Sequence, residues 1–259
     1  KINNLVNLDG YLAISNSSAK ELIDNLDVDP YKIVNISSAC DQNIFNSTNN
    51  QKINDSIIHM INGPYLLYAG AHDPRKNVKS LIHAYSLIDL KLRKKYKLVL
   101  AGKILEPESN LLDTWIKEFN IDDNQIIKTG FISDDELSLL YKKCSLFIFP
   151  SLHEGFGLPV LEAMSCGAPV IGSNCTSVRE VLGDEEVMFD PYDVFSIAGL
   201  IERALFDKDF KRILIQNAEI QIKRFSWEKS AMKSIEFFKT ICNNSSKYKK
   251  ICIEWPDLE

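Results

Sequence analysis

The chain alternates short, wholly apolar runs with longer stretches in which apolar residues return every three or four positions. Residues 11–15 predict a strand, and residues 17–26 a helix capped by Ser17 or Asn16. Residues 32–36 predict a second short strand. Residues 42–56, rich in Asn, Ser, Asp and Gln, predict a linker or surface excursion. From Pro64 the rhythm strengthens. Strands are predicted at 65–69, 98–101, 126–129, 146–149 and 169–172, the first three ended by Gly70, Gly102 and Gly130, with an edge strand at 187–189. Val78, Leu81, Ile82, Tyr85 and Ile88 repeat at helical spacing behind Asn77 as a cap. Further helices are predicted at 111–119, at 134–143 behind the capping box Ser133-Asp-Asp-Glu136, and at 159–166. Three more close the chain near 194–206, 208–223 and 227–242.

Strands that are apolar throughout, rather than alternating, and that are separated by helices of about 10–15 residues belong to a parallel sheet covered on both faces. The fold class is therefore α/β, a doubly wound, Rossmann-like parallel sheet. In such sheets ligands bind beyond the carboxyl ends of the strands. The loops after Ala69, Ala101, Thr129, Phe149 and Ile171 are where chemistry is expected.

Composition narrows the function. Of 259 residues, 45% are hydrophobic and 25% charged, the balance of a soluble globular chain. Thirty basic against thirty-five acidic side chains give a net charge of −5, which argues against a nucleic-acid binder. No apolar run approaches the ~18 residues of a membrane span. Six cysteines lie scattered with no Cys-x-x-Cys pair, which points to reduced thiols, a cytoplasmic location and no zinc motif. The absence of an initiator Met and the terminal Leu258-Glu259, which resembles a cloning scar, lead to the expectation of an excised piece of a longer protein. The Lys247-Tyr-Lys-Lys250 cluster reads as a solvated tail or as a peripheral contact with anionic lipid.

Two loops stand out. In Pro150-Ser-Leu-His-Glu154-Gly-Phe-Gly-Leu-Pro-Val-Leu-Glu162 a strand runs through two glycines into a helix with Pro159 in its first turn. The N–H groups of Phe156, Gly157 and Leu158 with the helix dipole make an anion site. Glu154 and Glu162, eight apart, flank it with carboxylates suited to accepting hydrogen bonds from sugar hydroxyls. A plain glycine turn with Glu162 complementing the dipole explains the same spacing. In Gly70-Ala-His-Asp-Pro-Arg75-Lys76-Asn77 a basic pair follows a strand, either to neutralise a diphosphate or as a solvated turn. Asp27-Val28-Asp29 spells a metal-binding Asp-x-Asp but reads as a turn before Pro30. His59, His72, His83 and His153 lack metal-ligand spacing; His153, beside Glu154, lines the pocket or packs locally.

These residues, from Tyr65 to about Thr240, resemble the donor-binding half of a glycosyltransferase family 4 enzyme of the two-lobed GT-B fold. The matching pieces are Tyr68-Ala-Gly…Pro74-Arg-Lys-Asn, Leu98-Val-Leu-Ala-Gly, Gly130-Phe-Ile-Ser, the Glu154…Glu162 stretch, Gly167-Ala-Pro-Val and Phe225-Ser-Trp227. The resemblance implies a retaining transferase that needs no metal or other cofactor. Its partners would be a nucleotide-sugar and a glycan or lipid-linked acceptor held by a missing lobe, as in polysaccharide biosynthesis. It implies Lys76 and Glu154 as catalytic residues, with Arg75 aiding Lys76 at the diphosphate. Gly155, Phe156, Gly157 and Leu158 would serve phosphate and sugar, Glu162 the ribose, Gly70 the strand-end loop, and Gly130 and Phe131 the base. Ala71 departs from the pattern, since many relatives carry Arg directly after the first glycine. The implied organisation is a remnant of the acceptor-side lobe over 1–50, a linker over 51–63, the nucleotide-sugar domain over 64–242 and a tail over 243–259. A glycosidase using Glu154 and Glu162, and a non-catalytic nucleotide-sugar-binding module, are the competing readings.

Overall fold

The first apolar run forms β1 (Tyr11–Ala13), which crosses through α1 (Asn16–Leu26) to pair in parallel with β2 (Ile33–Asn35). This is the computed structural model, which describes residues 8–46, 56–70 and 73–244. The α1 cap is Ser15, whose hydroxyl accepts the Ser18 N–H at 2.9 Å, not Ser17 or Asn16. Asp27 takes a left-handed φ of 51° and Asp29 accepts from Tyr31 N, so the Asp-x-Asp pair shapes a turn.

The second unit holds α2 (Ser56–Ile61), β3 (Tyr65–Ala69), α3 (Val78–Leu87), α4 (Leu90–Lys95), β4 (Lys97–Ala101), α5 (Glu106–Glu118), β5 (Ile126–Gly130) and α6 (Asp134–Lys143). It continues with β6 (Leu146–Phe149), α7 (Leu158–Ser165), β7 (Val170–Ser173), α8 (Thr176–Leu182), β8 (Met188–Phe189), α9 (Val194–Phe206) and α10 (Lys208–Gln221). The last helix, α11 (Trp227–Asn244), groups instead with β1 and β2. Lys233 Nζ donates to Asn35 O, and a Cβ on Gly10 would lie 2.5 Å from Ile241 Cδ1. The chain thus divides at Ala39/Cys40 and Arg224/Phe225, not at the linker over 51–63, and its closing helix leaves the sheet unit.

The six strands of the sheet unit run in the order β5-β4-β3-β6-β7-β8, every pair parallel. All residues of β3 and β6 are buried, as apolar strands covered on both faces must be. From β3 the chain winds outward through β4 and β5, then returns beside β3 and winds the other way through β6, β7 and β8. The reversal opens a crevice between the β3 and β6 loops, the place where such sheets take ligands. The strand-end glycines pack on one another: Gly70 N donates to Ala101 O and Gly102 N to Gly130 O. At Gly102, with φ 135°, a Cβ would sit 2.6 Å from Gly70 O, so only glycine fits.

The Ser133 capping box forms as expected, with Ser133 N donating to Glu136 Oε2 at 2.8 Å. Three helices depart from the sequence reading. α2 occupies part of the predicted linker, and α4 and α8 fall where no element is predicted. Helix α5 also begins five residues before the predicted 111, at Glu106. The five described cysteines are free thiols. Ala71, His72, Cys252 and the Lys247–Lys250 cluster lie outside the described residues. Among the described residues no helix is long and apolar enough to cross a membrane.

Candidate active site at the sheet crevice

The loops that leave β3 and β6 bring two side chains of opposite charge together. Lys76 Nζ donates to Glu154 Oε1 at 2.6 Å, with the side chains only 18% and 13% exposed. A half-buried ion pair is costly to desolvate, and breaking it by removing one partner leaves an uncompensated charge. The Lys76 ammonium also lies 5.9 Å from the Phe149 ring centroid, at the end of β6.

The loops around this pair are tied backbone to backbone. Leu152 N donates to Arg75 O at 2.7 Å. Asn77 is no side-chain cap for α3. It takes a left-handed φ of 57°, and its amide donates to Pro191 O at 2.8 Å and to Pro150 O at 3.2 Å. One side chain therefore joins the loops after β3, β6 and β8. Ser173 Oγ donates to Ser151 O, Ser177 Oγ to Glu154 O, and Glu154 N to Thr176 Oγ1. These hydroxyls escape sequence reasoning, although the loop after β7 was one of the places where chemistry was expected.

Helix α7 opens beside Glu154. Gly157, at φ 99°, turns the chain into it, and Pro159 occupies its first turn. In that first turn Gly157 and Leu158 have no helical carbonyl four residues back, so their N–H groups and the dipole offer an anion site. Phe156 is buried as the apolar floor of the loop, while Gly155 and Leu158 reach the surface.

Glu162, one helical turn into α7, points to a different partner. Tyr141 of α6 donates its hydroxyl to Glu162 Oε2 at 3.2 Å. Burial pushes the Glu162 carboxyl up to about 7, against the lowering effect of the Tyr141 bond, with nearby Asp134 adding to the rise. Burial also holds the Tyr141 hydroxyl protonated far above its ordinary range. Around them Cys40 Sγ lies 3.1 Å from Ser165 Oγ.

The remaining predicted residues are more peripheral. Arg75 is 67% exposed and pairs with Asp73 at 3.2 Å, so its guanidinium does not join the Lys76–Glu154 pair. Gly130 ends β5 at φ 69°, and Phe131 after it is 81% exposed. His153 is half-buried beside Glu154, and His83 stacks on Phe119 at 4.3 Å, far from metal work. Among the described residues no group of three or more His, Cys, Asp or Glu side chains is arranged to hold a metal ion.

Residues 50–221 match the profile of the family described as "Glycosyl transferases group 1". The chain is 40% identical over 243 residues to the serotype-specific mannosyltransferase WbdA of Escherichia coli, covering 92% of this chain and 30% of that protein. To the O-antigen chain mannosyltransferase B of Escherichia coli it is 39% identical over 178 residues, 68% of this chain and 46% of the relative. Anabaena HepE, solved in complex with UDP and glucose, superposes with a TM-score of 0.77 at 20% identity, covering 93% of this chain and 66% of that one. Sucrose-phosphate synthase of Thermosynechococcus elongatus superposes at 0.78 with 23% identity, over 94% of this chain and 61% of that one. These likenesses show a GT-B-type fold, and the chain spans less than half the length of the curated mannosyltransferases it matches. With its sheet, crevice and family profile in agreement, the chain belongs to the glycosyl transferases of group 1.

Proposed function

We propose that this chain is the donor-binding half of a retaining, metal-independent glycosyltransferase of family 4. It moves a sugar from a nucleotide-sugar to a glycan or lipid-linked acceptor in surface glycan synthesis at the cytoplasmic side. The observation that carries the reading is the Lys76–Glu154 pair, brought from two loops to the crevice beside the first turn of α7. A cation and a helix N-terminus suit a diphosphate, and a carboxylate at the same point suits sugar hydroxyls. The names of the Escherichia coli mannosyltransferases support a glycan product, and the UDP bound by Anabaena HepE supports a nucleotide-sugar donor.

In this reading Lys76, with Arg75 at the rim, binds the diphosphate through an ammonium that keeps further N–H donors beside its bond to Glu154. Gly155, Phe156, Gly157 and Leu158 present the loop backbone to phosphate and sugar. Glu154 holds the sugar hydroxyls at the reacting carbon, Glu162 the ribose, Gly70 the strand-end loop, and Gly130 and Phe131 line the base pocket. As the bond from the sugar to the diphosphate breaks, the sugar gains oxocarbenium character and the leaving group gains negative charge. Lys76 and the α7 N–H groups stabilise that charge as it develops. Sheet residues 40–224 form the donor unit. Residues before Cys40, with α11, belong to the acceptor-side lobe, and peripheral membrane contact falls to the Lys247–Lys250 cluster.

A thermal-shift screen of GDP-mannose, UDP-glucose and dTDP-glucose, with and without EDTA, tests the reading. One donor should raise the melting temperature in proportion to RT ln(1 + [L]/Kd), equally in EDTA. No shift with any nucleotide-sugar or free nucleoside diphosphate would overturn donor binding, and a shift lost in EDTA would overturn metal independence. A glycosidase would use the two carboxylates on one sugar and would have no use for a nucleoside diphosphate.

A further inference from the structure

Thr176 is the β-branched residue that takes a left-handed backbone, φ 46°, among the described residues. For a side chain branched at Cβ that region is a steric outlier, and such a conformation persists only where the surroundings hold it. Its surroundings are specific. Thr176 Oγ1 accepts the N–H of Glu154 at 3.1 Å, and the next hydroxyl, Ser177 Oγ, donates to the carbonyl of Glu154 at 2.8 Å. Both backbone polar groups of Glu154 therefore end on the first two residues of α8. The helix receives nothing comparable for itself, because the Cys175 side chain at its N-cap makes no capping bond. Further down, Ser173 Oγ grips Ser151 O at 2.6 Å, so the loop after β7 holds the loop after β6 along its length.

We infer that Thr176 is a positioning residue for sugar transfer. Its hydroxyl fixes the Glu154 backbone, and through it the carboxylate that meets Lys76, and the strained backbone of Thr176 is the cost of aiming that hydroxyl across the crevice. The inference rests on the reading of the Lys76–Glu154 pair as the donor site. A group held by backbone bonds, rather than by its carboxylate alone, keeps its place when the diphosphate competes for Lys76. Small misplacements of reacting groups lower rates steeply.

The test uses three variants of the intact protein. Thr176→Val keeps the branched shape and removes the acceptor, Thr176→Ser keeps the acceptor, and Thr176→Gly removes the acceptor while relieving the backbone. Amide hydrogen exchange in the free protein reads the clamp directly. The Glu154 amide should exchange about tenfold faster in Thr176→Val and Thr176→Gly and at the wild-type rate in Thr176→Ser. Release of GDP from GDP-mannose and of UDP from UDP-glucose, each with a mannose-terminated oligosaccharide, reads the consequence. In Thr176→Val and Thr176→Gly kcat should fall about ten- to a hundredfold with the donor KM changed less than ~threefold, and Thr176→Ser should recover most of the rate. Thr176→Gly should be at least as stable to urea as the wild type, which separates lost positioning from lost folding. An unchanged Glu154 amide in Thr176→Val and Thr176→Gly, or unchanged turnover in both, overturns the positioning role alone. A wild-type protein that releases nucleoside diphosphate from neither donor overturns the transferase reading, and the positioning role with it.

Discussion

Lys76 and Glu154, 78 positions apart in sequence, meet at 2.6 Å where the sheet reverses its winding. The ammonium and carboxylate do not merely neutralise each other on the surface, where such pairs contribute little. Both are largely enclosed, and each has a second task in the proposed chemistry: the cation faces phosphate and the anion faces sugar.

Replacing Lys76 by Ala should weaken nucleoside diphosphate binding by about 1.5–3 kcal/mol, roughly ten- to a hundredfold, while leaving the parent nucleoside almost unaffected. Isothermal titration with the two ligands measures the difference. Equal losses for both would place Lys76 away from the phosphates.

Glu154→Gln should behave differently. The substitution keeps the shape and releases Lys76 from its ion pair, so affinity for free nucleoside diphosphate should hold or tighten. Turnover should drop about a hundredfold, because an interaction that strengthens in the transition state is expressed in kcat. Titration calorimetry and steady-state rates on the same preparation separate the two effects. A collapse of nucleotide binding would reverse the assigned orientation of the donor.

Glu162 gives a pH signature. Its carboxyl is pushed from an ordinary 4.5 up to about 7, so between those values the folded chain binds more protons than the unfolded one. Stability therefore falls as pH rises through that window, by up to ~1.4 kcal/mol per unit from this group. Urea unfolding at several pH values should show the wild type losing stability relative to Glu162→Gln across the window, with the difference level above it. Nucleotide affinity should run the opposite way. Ribose hydroxyls donate best to the ionised carboxylate, so affinity rises towards neutral pH in the wild type and stays flat in Glu162→Gln. Tyr141→Phe removes the hydrogen bond that favours ionisation, and the rise should move to higher pH. A wild-type affinity independent of pH would detach Glu162 from the ribose.

The parts of this molecule written in local pattern were legible. The apolar runs Tyr65–Ala69 and Leu146–Phe149 and the Ser133–Glu136 box carry their structure within a few residues, and the strand alternation gave the sheet and the end at which to search. Helix α2 was hidden because its six residues are too few to set a period against the polar stretch before them. Helix α8 opens with a Thr in a conformation that only contact with the Glu154 loop explains, and no local rule predicts it. Asn77 misled by residue type. Asn before an apolar period reads as a cap, yet its amide serves carbonyls 73 and 114 positions away. Lys76, Glu154 and Glu162 were singled out from motif, whereas the Tyr141 bond to Glu162 joins two separate helices that spacing does not connect.

The Asn77 amide bridge also has a meaning in time. Its two acceptors arrive in order along the growing chain, Pro150 first and Pro191 only after the last strand of the sheet has been made. A nascent polypeptide that ends between them carries Lys76, Glu154 and Glu162, with the loops after β3 and β6 already joined, but not the carbonyl that adds the loop after β8. The bridge between the loops after β3, β6 and β8 is thereby complete only once synthesis has passed the far edge of the sheet.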